Sequence, residues 1–447
     1  MDMNRREFIK LVGAGAALAG LGSCGLKDNP SKASVSAGEM TYRTDQRTGN
    51  KISLLGYGMM RLPRSARARD LPTENNIDQN IVNETVDYAI ANGVNIFDTS
   101  PRYCKGFSEA ATGIALSRHP RDKYFISTKM SNQSDKNRDK CLDMYKRSME
   151  NLKTDHIDYY LAHSVGNLDN FKERYLDNGV LDFMRKEREA GRIRSLGWSF
   201  HGDGDFFEFM MSGEFDWDFV MVQLNYFDWN TVTGRSNVNA RYQYETLVER
   251  NIPAVVMEPL LGGNLAKPHY KAREMMTQAN PSASAASWAF RFAGSLPNVL
   301  TVFSGMTFME HLQDNIQTYS PLVPLTDSER EMLTGRVTQV MQEYRNINCT
   351  ECQYCMPCPY GLDIPGIFSH YNRCLNEGNF PDDKQSADYK RARRAWLVGL
   401  DRKVAPIRQA NRCTSCRKCI PDCPQNIRIP DEMQRIDRFT ENLKLEA

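Results

Sequence analysis

The sequence predicts an α/β protein in which a (β/α)8 barrel is followed by a smaller, mainly α-helical domain rich in cysteine. Two observations lead to this prediction. Between about residues 50 and 330, eight short apolar runs alternate with longer amphipathic stretches. Further along the chain, eight of the twelve cysteines form two regularly spaced motifs. The length of 447 residues is enough for two or three domains.

The composition narrows the class of partners. Hydrophobic residues make up 41% of the chain and charged residues 25%, as in ordinary globular proteins. The formal net charge of +2 gives no broad attraction for nucleic acid, so a nucleic-acid partner is not expected. After the N-terminal segment, no apolar run approaches the roughly 20 residues that a membrane span needs.

The apolar runs are near-continuous rather than alternating, which is typical of parallel strands buried on both faces. They are Ser53–Met59, Val94–Thr99, Tyr124–Lys129, Ile157–His163, Ile193–Ser199, Phe219–Asn225, Ala254–Pro259 and Leu300–Gly305. Helical periodicity fills the stretches between them, as at Ile77–Asn92 and Arg138–Leu152. Eight such units favour a closed barrel over an open sheet, with a hairpin over residues 41–52 closing its floor. No Gly-x-Gly-x-x-Gly follows the first run, which argues against a Rossmann domain.

Ionisable residues end three successive runs. Asp98 ends the second run, Lys129 the third and His163 the fourth, while Tyr103 follows in the loop after the second. In a (β/α)8 barrel these ends meet at the mouth that carries catalysis. Carbonyl reduction by hydride transfer needs a proton donor, and a Tyr hydroxyl beside a Lys ammonium, which lowers its pKa, suits that role. Taken alone, each of these residues is better explained as part of a structural ion pair or as a core histidine. The four together are better explained by catalysis.

The segments around these residues resemble the aldo-keto reductase family over about residues 40–330. The matching segments are Asn95–Ser100 with Tyr103, Ser127–Lys129, Leu161–Ser164, Gly191–Arg194, Gln223–Tyr226, Glu258–Leu260 and Ser304–Met306. The resemblance implies an oxidoreductase that interconverts a small-molecule carbonyl and an alcohol. It implies Tyr103 as the acid–base residue, with support from Asp98, Lys129 and His163.

The same resemblance implies a nicotinamide cofactor, NADP or NAD. The residues that would contact it are Ser199, Gln223, Asn225, Ser304, Gly305, Met306 and Asn315. Where relatives that use NADP usually place Lys or Arg for the 2′-phosphate, this chain has only His311, so the choice between NADP and NAD stays open. Five aromatic residues suggest an aromatic mouth suited to a sugar or a flat carbonyl, with ordinary packing as the alternative: Trp198, Phe200, Tyr226, Phe227 and Trp229.

Two cysteine motifs follow the barrel. Cys349, Cys352, Cys355 and Cys358 form C-x2-C-x2-C-x2-C-P, whereas Cys413, Cys416, Cys419 and Cys423 form C-x2-C-x2-C-x3-C-P. The second spacing is that of bacterial two-cluster ferredoxins, in which the fourth cysteine ligates the other cluster. We therefore expect two [4Fe–4S] clusters, one on Cys349, Cys352, Cys355 and Cys423 and the other on Cys413, Cys416, Cys419 and Cys358. The long segment between the motifs resembles α-helical ferredoxin domains.

Zinc and disulfides are the alternatives for these cysteines. A zinc ion takes four ligands and would not use the third cysteine of each triplet so regularly. Neighbouring thiols in such triplets would compete for disulfide partners, although exported chains often carry disulfides. The doubled triplets with a following proline therefore favour iron–sulfur clusters.

The N-terminal segment has the features of an export signal. Asn4–Lys10 resembles a twin-arginine signal, and Leu21–Cys24 resembles a lipobox at which Cys24 would receive lipid. The expected domains are a signal peptide at 1–24, a linker at 25–40, the barrel at 41–330 and the iron–sulfur domain at 331–447. The expected location is the periplasmic side of a membrane, which the protein would contact only through the N-terminal lipid.

Besides a binding lipoprotein without turnover, two functional classes remain after this reasoning. In the favoured one, the barrel is an enzyme and the clusters either pass electrons, with a redox partner protein, or brace the C-terminus. A nicotinamide moves two electrons as hydride whereas a [4Fe–4S] cluster moves one, and no flavin motif is visible to link them. In the alternative, the protein is an iron–sulfur electron carrier whose barrel is a scaffold without catalysis.

Overall fold

A computed structural model describes residues 39–65, 76–232, 238–344 and 346–446. The expected signal peptide, Cys24 and nearly all of the linker lie outside the described residues. Among the helices that are described, none has the length and apolar character needed to cross a bilayer. The chain from residue 37 onwards forms one compact unit, so the barrel and the cysteine-rich domain pack together.

Eight parallel strands close into a barrel, as the apolar runs predicted. An antiparallel hairpin of β1 (Tyr42–Thr44) and β2 (Lys51–Ser53) precedes them. The barrel strands are β3 (Leu55–Gly58), β4 (Ile96–Asp98), β5 (Phe125–Met130), β6 (Ile157–Val165), β7 (Ile193–Phe200), β8 (Phe219–Gln223), β9 (Ala254–Met257) and β10 (Val299–Ser304). Each strand pairs with the next, and β10 pairs with β3 to close the ring. The carboxyl ends of β4, β5 and β6 therefore lie side by side.

Helices connect the barrel strands. The α-helices of this part are Gln79–Ala91, Ser108–Leu116, Arg138–Leu152, Leu168–Phe171, Val180–Glu189, Gly204–Met210, Ala240–Glu249, Tyr270–Ala279, Ala285–Gly294 and Met309–Tyr319. Short polar side chains start several of them. Asp78 accepts the main-chain N–H of Ile81, and Asn137 accepts that of Lys140, so each satisfies a donor that a helix start leaves open.

The helical segment Asp327–Glu343 belongs to the barrel. It runs as Asp327–Met332, a π-helical turn at Leu333–Val337, and Thr338–Glu343. Its apolar residues Leu333, Val337 and Met341 are buried in the core between the barrel strands and their helices. The domain boundary expected at residue 330 falls inside this helical segment.

The cysteine-rich domain is mainly helical, as expected. Its helices are Ile364–Asn376, Tyr389–Lys403 and Ile429–Leu445. They pack around Trp396, whose side chain is fully buried and whose indole N–H donates to Thr440 at 3.1 Å. This second core also contains Cys374 and Cys423, so the helices and the cysteine motifs share one apolar interior.

Candidate active site and cysteine clusters

Asp98 and Lys129 form a buried ion pair at the ends of β4 and β5. The Lys129 Nζ atom lies 2.6 and 2.7 Å from the two carboxylate oxygens of Asp98 and 2.8 Å from the carbonyl oxygen of Thr99. The Ser127 hydroxyl donates to the same carboxylate at 2.7 Å. Burial raises the pKa of Asp98 and lowers the pKa of Lys129, and the attraction between the two charges opposes both changes.

Tyr103 lies against this pair and against His163. The Lys129 Nζ atom is 4.7 Å from the centre of the Tyr103 ring, and the ring centres of Tyr103 and His163 are 6.1 Å apart in an edge-to-face arrangement. The structure thus brings the four predicted residues together. It differs from the expectation in one respect, because burial and the charge of Asp98 raise the pKa of Tyr103 well above its ordinary value. The phenol is therefore protonated near neutral pH, and the expected lowering by Lys129 is outweighed.

His163 is held from several sides. Its Nδ1 atom lies 2.5 Å from the Ser131 hydroxyl, and its main-chain N–H donates to the Tyr175 hydroxyl at 2.9 Å. Burial, followed by the positive charges of Lys129 and Arg174, lowers the pKa of His163 well below its ordinary value. The imidazole next to Tyr103 is therefore neutral and has a fixed orientation.

A cavity of about 1110 Å³ opens over these residues, and Asp98, Tyr103 and His163 line it. Cavities for small molecules and cofactors typically measure about 300–1,000 Å³, so this one has room for both a cofactor and a substrate. Of the predicted cofactor residues, Ser304, Gly305 and Asn315 line the cavity.

The other four predicted cofactor residues lie outside the cavity lining. The Ser199 hydroxyl accepts the main-chain N–H of Ser164 at 2.7 Å, and Met306 is 1% exposed. The Gln223 and Asn225 amides both donate to the Asp228 carboxylate at 2.7 Å. In this structure these side chains support loops around the site.

The positive charges of the cavity are more numerous than the sequence suggested. His311 lines the cavity with Glu310 and Asp314 on either side of it in the chain. Lys267 and Arg273 line the same cavity. They belong to the segment after β9, far from His311 in the sequence, so the motif that pointed to His311 gave no signal for them.

The aromatic residues expected at the mouth are packing residues instead. Trp198 is fully buried and contacts Phe200, Phe206 and Phe207 at ring-centre distances of 5.7–5.9 Å. Tyr226 is also fully buried and packs on Phe292, as does Trp229. Phe227 packs against the same core. Alternating side chains of β7 point away from the barrel axis, which places Trp198 and Phe200 among the helices.

The first cysteine motif forms a roof over the cavity. Thr350, Glu351, Cys352 and Tyr354 line the cavity together with residues of the barrel. The Lys105 ammonium donates to the Met356 carbonyl at 2.9 Å, and the Arg61 guanidinium donates to the Thr350 carbonyl. A Cβ atom on Gly262 would lie 2.4 Å from the Thr350 Cα, so the motif and the βα loop after β9 are in direct contact. Sequence reasoning missed this arrangement because no local pattern shows which surface a cysteine motif faces.

The thiols of the two motifs form two groups. Burial raises the pKa of Cys349 to about 12, with further upward contributions from the charges of Cys352 and Cys423. Burial also raises the pKa of Cys355, and the charges of Cys352, Cys349 and Cys423 add to the increase. Cys423 belongs to the second motif in the sequence, yet it lies within electrostatic range of all three of these thiols.

The second group is centred on Cys419. Burial raises the pKa of Cys419 to about 11, with upward contributions from Cys413, Cys358 and Cys416. The charge of Cys419 in turn acts on Cys355, so the two groups are neighbours. No disulfide joins the described cysteines.

The donor sets fit clusters better than single ions. Within the described ranges, no three or more His, Cys, Asp or Glu side chains are arranged to hold one metal ion. Thiolates that bind different iron atoms of a cluster need not converge on one point, as the ligands of a single ion must. Two neighbouring groups of four thiols, all buried or half-buried except the exposed Cys416, suit iron–sulfur clusters.

Comparisons with known proteins agree with the division of the chain into a barrel and a cysteine-rich domain. Residues 348–428 match the family model of the 4Fe-4S dicluster domain. Residues 54–335, more than half of the chain, match the family model of the aldo/keto reductases.

Individual relatives match the barrel. The aldo-keto reductase YhdN of Bacillus subtilis is 27% identical over 168 residues, which are 36% of this chain and 47% of that protein, so the match spans less than half of that relative. The holo form of aldo-keto reductase AKR11C1 from Bacillus halodurans superimposes with a TM-score of 0.54 at 20% identity, over 67% of this chain and 96% of that one. An aldo-keto reductase from Klebsiella pneumoniae in complex with NADPH gives a TM-score of 0.51 at 17% identity, over 67% and 95% of the two chains.

The residues matched by the family model, 54–335, contain all eight strands of the closed barrel. The oxidoreductase class follows from the same match, and the iron–sulfur domain follows from the match over the cysteine motifs. The chain belongs to the aldo/keto reductase family.

Proposed function

We propose that the protein interconverts a small-molecule carbonyl and an alcohol by hydride transfer, with Tyr103 as the proton donor and acceptor. The observation that carries this proposal is the convergence of Tyr103, Lys129, Asp98 and His163 at one cavity. Comparable convergence of a phenol, an ammonium and an imidazole is uncommon without a chemical role.

In this proposal a nicotinamide, NADP or NAD, supplies or accepts the hydride when it is bound. Ser304, Gly305 and Asn315 are the predicted residues that would hold it, because they line the cavity. The Asn315 amide donates to the Ser304 hydroxyl at 3.0 Å, which fixes both side chains at that wall. The binding of NADPH by the reductase from Klebsiella pneumoniae supports this choice of cofactor.

In this proposal, residues of the protein donate and accept the proton of the reaction. Tyr103 is protonated near neutral pH, so it can donate to the oxygen that gains negative charge during reduction. The Lys129 ammonium lies over the face of the Tyr103 ring, where its charge favours the phenolate left behind. The neutral His163 ring, fixed by Ser131, can orient the substrate oxygen next to the Tyr103 hydroxyl.

We also propose two [4Fe–4S] clusters, each held by cysteines from both motifs. One would bind Cys349, Cys352, Cys355 and Cys423, and the other would bind Cys413, Cys416, Cys419 and Cys358. The grouping of the thiols supports this crossed arrangement. Bound clusters carry single electrons. Because Cys352 lines the catalytic cavity, the cluster that it would help to hold would supply single-electron chemistry next to the barrel site.

The test is carbonyl reduction by anaerobically purified, cluster-containing protein. Oxidation of NADPH or NADH is followed with 4-nitrobenzaldehyde and with simple ketones, for the parent and for Tyr103→Phe. Loss of a positioned proton donor should lower kcat by about 10²- to 10⁴-fold. Iron content and the visible spectrum should not change, because Tyr103 is not in the cysteine motifs.

A matched control is Tyr360→Phe, since Tyr360 is 50% exposed on the cysteine-rich domain. This control should keep the parent's rate. A Tyr103→Phe protein as active as the parent would rule out the proposed role of Tyr103. A parent that reduces no carbonyl but undergoes reversible cluster reduction would favour the alternative, an electron carrier with a barrel scaffold.

The location is a separate proposal. We propose export by the twin-arginine route and attachment through lipid on Cys24, on the strength of Arg5, Arg6 and the segment Leu21–Cys24. Cys24→Ala should move the exported protein from the membrane fraction to the soluble fraction. Arg5→Lys together with Arg6→Lys should leave it in the cytoplasm.

A further inference from the structure

Arg102 contributes a guanidinium group to the cavity. It directly precedes Tyr103 and lines the same cavity. The centre of its guanidinium group lies 5.1 Å from the centre of the Tyr354 ring, on which it stacks. Within the described part of the chain its guanidinium makes no hydrogen bond and no ion pair. Its five N–H donors are therefore available to a ligand.

The neighbouring arginine of the cavity shows the contrast. Arg174 is fully buried, and its guanidinium donates to Asn132 at 3.1 Å, to the His163 carbonyl at 2.6 Å and to Asn170 at 3.0 Å. Arg174 is thus a structural arginine whose hydrogen bonds are made within the protein. Arg102 keeps the same chemical group open to the cavity.

Arg102 has both positively and negatively charged groups in its surroundings. Its own charge acts on His163, Arg174 and Tyr354. Among the acidic groups of this region, Asp98 is paired with Lys129. The charge of Glu258 also acts on Tyr354, its carboxylate accepts the main-chain N–H of Gly262 at 2.5 Å, and burial raises its pKa. An anion at Arg102 would therefore meet an uncompensated positive charge.

We propose that Arg102 binds a carboxylate of the substrate, so that the barrel acts on carbonyl acids or on the corresponding hydroxy acids. A planar guanidinium forms two parallel hydrogen bonds to a carboxylate, and it stacks on aromatic rings at the same time. Because Arg102 and Tyr103 line the same cavity, a substrate whose carboxylate is held by Arg102 would have its carbonyl group in the cavity that Tyr103 lines. The reacting carbonyl rests on the proposed function, whereas the binding of the anion does not.

Tyr354 is a positioning residue in this proposal. It lies between Cys352 and Cys355, so the first cysteine motif holds its ring against Arg102. The contacts of Lys105 with the Met356 carbonyl and of Arg61 with the Thr350 carbonyl fix that motif on the barrel. The anion site is thus a composite of the barrel and the cysteine-rich domain, and its geometry depends on an intact first motif.

The proposal is tested by equilibrium binding of unreactive probes to the anaerobic, cluster-containing protein. Phenylacetate and its neutral amide, phenylacetamide, are compared by calorimetry, and acetate and acetamide serve as a smaller pair. The carboxylates should bind at least about 10-fold more tightly than the amides. Arg102→Gln should weaken phenylacetate binding by about 10- to 100-fold and leave the amide unaffected, as expected for loss of hydrogen bonds to a charged group. Arg102→Lys keeps the positive charge but loses the planar pair of N–H donors. Its affinity for phenylacetate should therefore lie between those of the parent and Arg102→Gln.

Variants of Tyr354 separate stacking from a general structural role. Tyr354→Phe keeps an aromatic face and should bind phenylacetate like the parent, whereas Tyr354→Leu should bind it about 5-fold more weakly. Iron content should be equal in all proteins compared. Arg118→Gln removes a surface arginine that pairs with Asp87 and should have no effect.

The outcomes separate this proposal from the proposed function. Equal binding of acids and amides by the parent, for both pairs, would overturn the carboxylate site, as would an Arg102→Gln protein with the parent's affinity. A parent that binds phenylacetate through Arg102 but reduces no carbonyl would leave the anion site standing and refute the reductase. A parent that reduces neutral carbonyls as well as it reduces carbonyl acids would keep the reductase and refute the acid preference.

Discussion

Lys129 donates all three of its N–H groups to Asp98 and Thr99, so it meets Tyr103 only across the face of the ring. The ammonium thus acts on the phenol through its charge and not through a hydrogen bond. Asp98 has two effects in this arrangement. It keeps Lys129 charged, and its own negative charge raises the pKa of Tyr103.

Removal of one partner of the buried pair should destabilise the protein. The side chains of Lys129 and Asp98 are 1% and 6% exposed. Asp98→Asn leaves a buried ammonium without its counter-charge, which typically costs about 3–5 kcal/mol in the free energy of unfolding. The double variant Asp98→Asn with Lys129→Met should recover most of that loss, yet it should stay inactive in carbonyl reduction. Urea unfolding and steady-state kinetics measure the two effects, and recovery of activity in the double variant would contradict a catalytic role for Lys129.

The fourth cysteine of each motif should serve the other cluster. Cys423→Ser should remove the cluster of Cys349, Cys352 and Cys355, whereas Cys358→Ser should remove the cluster of the second triplet. Each variant should fall from about eight iron atoms per chain to about four. Electron paramagnetic resonance of the reduced proteins should then show a different single cluster in each.

Pairs of variants show which triplet loses its cluster. Adding Cys352→Ser to Cys423→Ser should cause no further loss of iron, because both ligands would belong to one cluster. Adding Cys416→Ser to Cys423→Ser should remove the remaining iron. The reverse pattern would mean that each motif holds its own cluster.

Two adjacent glycines test the contact between the barrel and the roof. Gly262 and Gly263 both have positive φ angles, of 68° and 102°. A Cβ atom on Gly262 would lie 2.4 Å from the Thr350 Cα, whereas one on Gly263 would meet nothing within 4 Å. Gly263→Ala should therefore cost only the backbone penalty of about 1–2 kcal/mol. Gly262→Ala should cost clearly more and should loosen the first motif, seen as a lower thermal midpoint and faster loss of iron to a chelator. Equal effects of the two variants would show that the contact contributes little.

Acidification should destabilise the cysteine-rich domain through His370. Its Nε2 atom lies 2.9 Å from the Trp396 carbonyl oxygen, and burial lowers its pKa to about 4. An unfolded histidine binds a proton below a pH of about 6.5. Between these two values the unfolded chain holds more protons, so stability falls as the pH decreases from about 6.5 to about 4.

The size of this effect is measurable with His370→Gln, which can still donate to the Trp396 carbonyl. At pH 5 the parent should lose about 2 kcal/mol of stability through His370 relative to pH 7. The variant should lack this part of the loss in urea unfolding at the two pH values, with iron content monitored. A variant whose stability falls as steeply as the parent's would show that His370 is protonated in the folded protein.

The barrel could be predicted from the sequence because its signals are local. Each buried parallel strand is a short apolar run, and each run ends near the polar residue that it delivers to the mouth, as with Asp98 on β4 and Lys129 on β5. The cysteine spacing likewise reveals the cluster domain without any knowledge of its helices.

What could not be predicted depends on packing between distant segments. The pKa of Tyr103 is raised by burial, by the charge of Asp98 and by the charge of Tyr354, which is about 250 residues away in the chain. Trp198 and Tyr226 resemble mouth residues in the sequence, but the strand pleat and the helices decide that they pack in the core. The sequence also does not show that the Arg102 guanidinium lacks a hydrogen-bonding partner among the described residues, because that depends on how distant segments pack around it.

The attachment of the first cysteine motif to the rim of the barrel limits the shape of the substrates that can reach the cavity. Arg61, Lys105 and Gly262 hold the motif across the entrance. A polymer chain could not lie across a mouth that is bridged in this way, so the reactive group must arrive on a compact molecule or at the very end of a longer one. A cluster held by Cys352 would adjoin the cavity that every substrate enters, so oxygen damage to that cluster would disturb substrate recognition as well as electron transfer.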